Sequence, residues 1–319
     1  MISGWRAESG RIEPVGDALT GAGDVLWFDA LSPTSDEFAA LETVLGVRLP
    51  TREEMEEIED SSRLYREDGA VFMTTTLPAD VESDSPRLEP VTFVLTGDRL
   101  VTLRYHDPRA FRTFVARIDR LAAGCSNGEE VFAAILEAVI DRMADILENA
   151  GRAVAGISRR VLRDEAGSPD YRELLRGIGR QGDTVSNVQD SLVSIERLIS
   201  FAETGPDSQS RGKDMRNRIR TLGRDARFLT EHAGFLSQKI TFLLDATLGM
   251  IGIEQNGTIK ILSVAAVVFL PPTLIASIYG MNFATMPELE WPFGYPMALG
   301  LMLGAGLLSY WVFKRKGWL

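Results

Sequence analysis

Two stretches near the C-terminus of this 319-residue chain, 261–287 and 291–313, contain no charged residue. This feature constrains the fold more than any other, because about 20 consecutive apolar residues are enough to cross a hydrocarbon core. IKILSVAAVVFLPPTLIASIYG (259–280) and YPMALGLMLGAGLLSYWVF (295–313) read as two membrane spans. Lys314, Arg315 and Lys316 follow the second at once, whereas the connecting loop carries only Glu288 and Glu290. Basic residues mark the cytoplasmic side, so both chain ends are expected inside and the short loop outside. Trp291, Tyr295, Trp311 and Trp318 sit where interfacial aromatic anchors belong. Gly300, Gly304 and Gly306 suit close packing of helices. Pro271 and Pro272 remove two backbone donors from the first span, and the carbonyls one turn earlier must find other partners. That is tolerable beside a wet pore, with Thr273 or Ser277 nearby, or at a simple kink.

The remainder is different in kind. Charged residues are spread from residue 1 to about 255, and the chain carries a net charge of -11. Such a balance argues against a nucleic-acid partner, which would require a basic surface. It suits attraction of cations, or serves solubility alone. MISGWRAESGRIEPVG lacks the basic and apolar regions of a signal peptide, so this part is expected to stay in the cytoplasm. Cys125 is the lone cysteine, in a stretch that reads as a loop, and His106 and His232 are the only histidines. A disulfide within the chain is excluded, and a thiolate cluster or histidine-based hydrolase is not expected.

This soluble part reads as α/β. VLWFDA (25–30), AVFMTTTL (70–77), VTFVLT (91–96) and LVTLRY (100–105) are strand-like, the last two flanking a turn at Gly97-Asp98-Arg99. SPTSDEFAALETVLG opens with capping residues and places Phe38, Leu41 and Leu45 on one helical face. Apolar periodicity predicts two further helices, over 129–163 and about 170–201, with a loop at 203–212. The acidic run REEMEEIED (52–60) is either a solvated helix face or part of a sensor for internal cations.

From Ile219 onward Leu222, Ala226, Leu229, Ala233, Leu236, Ile240 and Leu243 alternate spacings of three and four. Such a seam predicts a long helix packing lengthwise on neighbours, expected to hold an assembly together. Unbroken over 213–271, the helix is about 85–90 Å long at 1.5 Å per residue. Asp245, Gly249, Gly252 and Asn256 form a separate stripe of small and oxygen-bearing side chains, suited to a narrow wet axis between parallel helices or to simple solvation.

YGMNF (279–283), MPEL (286–289) and the closing KRKGWL (314–319), with EIEDSSRLYREDGA (57–70) and YHDPRAF (105–111), resemble the CorA family of magnesium channels. The resemblance covers essentially the whole chain and is most specific from Phe269 onward. It implies a funnel-shaped homopentamer in the cell's inner membrane, with the first span of each subunit lining a central pore. The implied organisation is a cytoplasmic α/β domain (1–128), antiparallel cytoplasmic helices (129–211), a stalk helix (212–258), a first span (259–280), an external loop (281–294), a second span (295–313) and a basic tail (314–319). Gly280, Met281 and Asn282 match the family's selectivity motif. Its pore-facing positions fall on Asp245, Asn256, Leu262, Leu270 and Thr273, the two leucines forming constrictions able to close by dewetting. The family's acidic regulatory metal site does not transfer by residue: an aspartate is missing near Thr221, and Asp225 is close but not safely aligned.

Magnesium prefers six oxygens and releases its waters reluctantly. A ring of Asn282 amide oxygens, backed by Gly280 carbonyls, would accept hydrogen bonds from a hydrated ion and still let it go. Glu288 and Glu290 would raise the cation concentration at this outer mouth. Asn282 can also serve as a helix cap. No GxxxxGK[ST] loop is present, so no ATP engine of that type is expected. The membrane potential supplies roughly 4.6 kcal/mol per 100 mV to a divalent ion, which drives passive entry. The expected activity is Mg2+ uptake, with Co2+ and Ni2+ as passengers, closed by Mg2+ bound inside, with no organic cofactor and no enzymatic step. A ZntB-like zinc transporter is the alternative within the superfamily, though its filter departs from GMN; a membrane-anchored coiled-coil scaffold is the alternative outside it.

Overall fold

The computed structural model describes residues 1–8, 11–16, 18–19, 21–81, 86–118, 125–162, 170–205, 212–281, 286–287 and 291–316. Two compact units are present, Met1–Leu244 and Asp245–Leu319.

The first unit is a seven-stranded sheet sandwiched between helices. Strands β1 (Ile2–Glu8), β2 (Arg11–Val15), β3 (Trp27–Leu31), β4 (Leu64–Glu67), β5 (Ala70–Ala79), β6 (Arg87–Thr96) and β7 (Arg99–Arg104) take the order β2-β1-β3-β7-β6-β5-β4. Every neighbouring pair is antiparallel except β3 and β7. The β6–β7 hairpin pairs Thr96 with Arg99, and Gly97, at φ 56°, supplies the left-handed backbone that so tight a turn needs. Alternate residues of the strands face opposite sides of the sheet. Trp27, Met73, Phe93 and Leu100 point into one core, and Phe28, Phe72, Val94 and Val101 into the other.

The smaller core is covered by α1 (Ser35–Leu45) and α2 (Arg52–Glu56), through Leu41 and Met55. Both helices start with a full capping box, Thr34 with Glu37 and Thr51 with Glu54. Glu54 thus satisfies backbone donors and also pairs with Arg48 at 2.7 Å, while Arg52 pairs with Glu56. These contacts give the acidic run at 52–60 a structural use. A one-turn helix, α3 (Asp60–Arg63), leads into β4.

The larger core lies beneath α4 (Arg109–Arg117), α5 (Gly128–Leu162), α6 (Tyr171–Glu203) and the first part of α7 (Lys213–Tyr279). Here one expectation is corrected. Ile219, Leu222, Ala226, Ala233, Leu236, Ile240 and Leu243 are buried within the subunit, in one cluster with residues of α5 and α6. The α7 seam is therefore consumed by the chain's own helices and does not itself join copies. Gly223 allows a close approach, since a Cβ there would stand 3.2 Å from Ile199 Cγ2, whereas one on Gly182 would meet Ile240 Cγ2 at an ordinary 3.8 Å. Arg218 and Glu137 tie α7 to α5 at 2.7 Å.

A buried polar network crosses the parallel pair. Arg104 grips both carboxylate oxygens of Asp29 at 2.9 and 2.7 Å, and also donates to Asp107 at 2.8 Å. Thr102 donates to Asp29 and accepts from Trp27 Nε1. Each buried charge has its counter-charge, the condition under which such groups are tolerated in a core.

The second unit holds the end of α7 and all of α8 (Gly294–Arg315). Both helices are long and apolar enough to cross a membrane, and only 6% of either apolar window is buried. That exposure separates them from the core helices of a water-soluble domain.

Candidate functional site

The candidate pathway is built from one face of α7. Within 259–280, Val264 is buried and Ser263, Val268, Pro271, Pro272, Ile275 and Tyr279 are half-buried; all but Ser263 form a stripe that repeats at three and four residues. This face meets α8: a Cβ on Gly306 would lie 3.6 Å from Pro272 Cγ and 3.9 Å from the Val268 carbonyl oxygen. Gly306 therefore sits over a carbonyl that Pro272 deprives of its helical donor. Pro272 serves the packing between the two helices, and Thr273 does not satisfy the freed groups, since its hydroxyl donates at 2.7 Å to the Phe269 carbonyl.

At about 100° per residue, the stripe opposite α8 runs through Ile259, Leu262, Ala266, Leu270, Thr273, Ser277 and Gly280. All seven are exposed, with Leu262 and Leu270 each at 65%. Asp245 and Asn256, earlier on α7, are exposed as well. The described pore candidates thus share one property: all are exposed, as is most of α7 in this span. Reading the sequence missed Ile259, Ala266 and Ser277, although the three-and-four spacing that includes them was visible. It also passed over Phe228, Phe235 and Phe242, seven residues apart on α7 and 68%, 61% and 59% exposed.

The helix ends at Tyr279, immediately before the proposed filter motif. Gly280 donates to the Ala276 carbonyl at 2.9 Å and Met281 to that of Ile278 at 3.3 Å. A Cβ at position 280 would come within 3.1 Å of the Ala276 oxygen, so glycine fits this last turn and bulkier residues crowd it. Met281 is 47% exposed. Asn282, Glu288, Glu290 and Trp318 lie outside the described residues. Trp291, Tyr295 and Trp311 are exposed, and Lys314 and Arg315 lie over the rings of Tyr310 and Trp311.

Asp225 is exposed on α7, and its charge reaches Asp141 on α5. Burial, followed by the neighbouring Glu137 and Asp145, pushes the Asp141 carboxyl above its ordinary range. Among the described residues no group of three or more His, Cys, Asp or Glu is arranged to hold a metal ion.

An α/β unit, a long helix whose end is apolar enough to cross a membrane and a second such helix behind it define a two-span membrane protein. The description of the CorA-like Mg2+ transporter protein family matches residues 22–315. The magnesium transport protein CorA of Pasteurella multocida is 37% identical over 321 residues, covering all of both chains. That of Haemophilus influenzae is 35% identical over 325 residues, again with full coverage of both. The complete structure of the CorA magnesium transporter from Methanocaldococcus jannaschii superposes with a TM-score of 0.81 at 20% identity, over 100% of this chain and 99% of that one. The chain belongs to the CorA-like Mg2+ transporter family, whose members are transporters and not enzymes.

Proposed function

We propose that the chain forms a passive, potential-driven channel for Mg2+, with Co2+ and Ni2+ as passengers. The observation that carries this reading is the exposed stripe of α7 opposite α8, taken with family membership. It holds Leu262, Leu270 and Thr273 and is left open by its own subunit. In a ring of copies, five by the resemblance, that stripe faces a shared axis. Leu262 and Leu270 then narrow the path, Thr273 offers oxygen, and Asp245 and Asn256 line its inner part. Gly280, Met281 and Asn282 form the outer filter, and Glu288 and Glu290 concentrate cations before it. Residues 259–280 and 295–313 cross the inner membrane, 281–294 lies outside, and both chain ends lie in the cytoplasm. Relatives named as magnesium transport proteins favour Mg2+ over the zinc reading.

A neutral ring of amide oxygens suits an ion that keeps its water, because it binds weakly enough for release. Uptake of Mg2+, Co2+ and Zn2+ into proteoliposomes, comparing the parent with Asn282→Ala, tests the reading. Mg2+ flux is expected to dominate in the parent and to fall in the variant. An assembled Asn282→Ala protein with full, selective Mg2+ flux defeats the filter assignment. Internal Mg2+ is proposed to favour the closed state, so its removal raises conductance; unchanged currents refute that part.

A further inference from the structure

Residues 106–110 of the YHDPRAF stretch, unused by the transport reading, form one wall of a cavity of about 420 Å³ in the first unit. Its floor is apolar, made by Leu77 of β5 and by Val139, Met143 and Ile146 of α5. Its lining contains four arginines, Arg87, Arg109, Arg112 and Arg142, against two aspartates, Asp80 and Asp107. In a chain of net charge -11, a local excess of cations runs against the average. Part of this charge is already paired: Arg87 meets Asp80 at 3.1 Å and Glu89 at 3.3 Å, and Asp107 meets Arg104 at 2.8 Å and Arg112 at 3.6 Å, so a phosphate would have to share these arginines with their carboxylates.

Two further features converge on the same wall. Helix α4 starts at Arg109, and no side chain caps its first turn, which contains no acidic residue. Such an end carries partial positive charge and favours an anion. His106 lines the cavity, and neither of its ring nitrogens, both buried, has a hydrogen-bond partner among the described residues. Burial first, and the Arg104 charge second, hold this imidazole down to about 4, so it is neutral at cellular pH and adds no charge to the wall.

We propose that this cavity binds a small organic phosphate, with the phosphate on Arg87, Arg109, Arg112 and Arg142 at the head of α4 and the apolar body on the Leu77–Val139–Met143–Ile146 floor. The volume falls in the range of small-molecule sites, and arginine is suited to phosphate by its fixed fork of donors. The site lies wholly in the first unit and stands independently of the transport reading.

The test is calorimetric titration of the full-length protein in lipid nanodiscs, in Mg2+-free buffer, with ATP, inorganic pyrophosphate and adenosine as probes. ATP is expected to bind most tightly, pyrophosphate more weakly, and adenosine not at low-millimolar concentration. Arg112→Gln and Arg142→Gln should each weaken ATP about tenfold or more, the loss of one charge-assisted hydrogen bond. The Arg112 side chain is 64% exposed, so its removal leaves the fold intact, as an unchanged melting curve will verify. Failure of both ATP and pyrophosphate to bind overturns the proposal, as does undiminished ATP binding by both variants. Equal affinity for ATP and pyrophosphate overturns the role of the floor.

Discussion

Replacing Thr273 by valine tests the proposed lining with little change of shape. The Thr273 hydroxyl already donates its proton to the Phe269 carbonyl at 2.7 Å. Its oxygen can therefore only accept from anything on the exposed side, the polarity that water bound to a cation requires. Valine keeps the volume and removes the acceptor. A net hydrogen bond is worth about 0.5–1.5 kcal/mol. With two of the ring's oxygens engaged by one hydrated ion, the passage barrier rises by about 1–3 kcal/mol, or roughly 5- to 150-fold in rate at 1.4 kcal/mol per tenfold. Thr273→Ser retains the oxygen and should conduct within about threefold of the parent, a difference below 1 kcal/mol. The assay is the initial rate of Mg2+ entry into proteoliposomes at a fixed potential, normalised to reconstituted protein. Equal rates for the valine variant and the parent refute the placement of Thr273 on the ion path. Equal losses for serine and valine refute the argument from the acceptor.

Three further outcomes follow from the first unit. Asp29→Ala leaves Arg104 buried without its main counter-charge and should cost about 3–5 kcal/mol; a lowered melting temperature of the full chain, with partial recovery in Asp29→Ala/Arg104→Met, checks it. His106 is neutral when folded and takes up a proton more readily when unfolded, so its contribution to stability is complete above about pH 6.5 and is lost as pH falls toward 4. His106→Phe should flatten that part of the melting-temperature profile, and an identical slope in parent and variant counts against it. Burial, the main cause, pushes the Cys125 thiol up to about 11, which leaves roughly one thiolate in three thousand at pH 7.5; a disulfide reagent should label it only after denaturation, and rapid labelling of the native protein contradicts this.

The spans were legible because two charge-free stretches admit few other fates, and α7 and α8 are the helices that result. Four strands were readable from β-branched runs, and all four are present as β3, β5, β6 and β7. The strands β1, β2 and β4 were missed for a physical reason. ISGWRAE, RIEPV and LYRE lie toward the two edges of the sheet, where one polar face meets water and the apolar signal is diluted. The α7 seam was found residue by residue but given the wrong partner. Periodicity reports that a face is covered and not by which chain. The cavity beside His106 was invisible for a similar reason: its arginines come from positions 87, 109, 112 and 142, on three elements, β6, α4 and α5, that only the fold gathers.

Once α5 and α6 have taken the seam, what α7 leaves uncovered is more informative than what it buries. Phe228, Phe235 and Phe242 are spaced by seven and stand exposed, although burying such a ring gains about 1.5–3 kcal/mol. The same spacing continues in the sequence through Gly249, Asn256, Ser263, Leu270 and Ser277. A partner that follows this line must be apolar at first and then small and polar, in step with α7 itself. Another copy of α7 in parallel meets that condition automatically, since every position then faces its own kind around an axis. The residue type at each level sets what the axis contains: phenylalanine fills it, whereas glycine, asparagine and serine leave room and oxygen for water. At 100° per residue a spacing of seven drifts by about 20° per step, so the three rings and the later positions share one line only where α7 supercoils, as parallel copies in a coiled coil do.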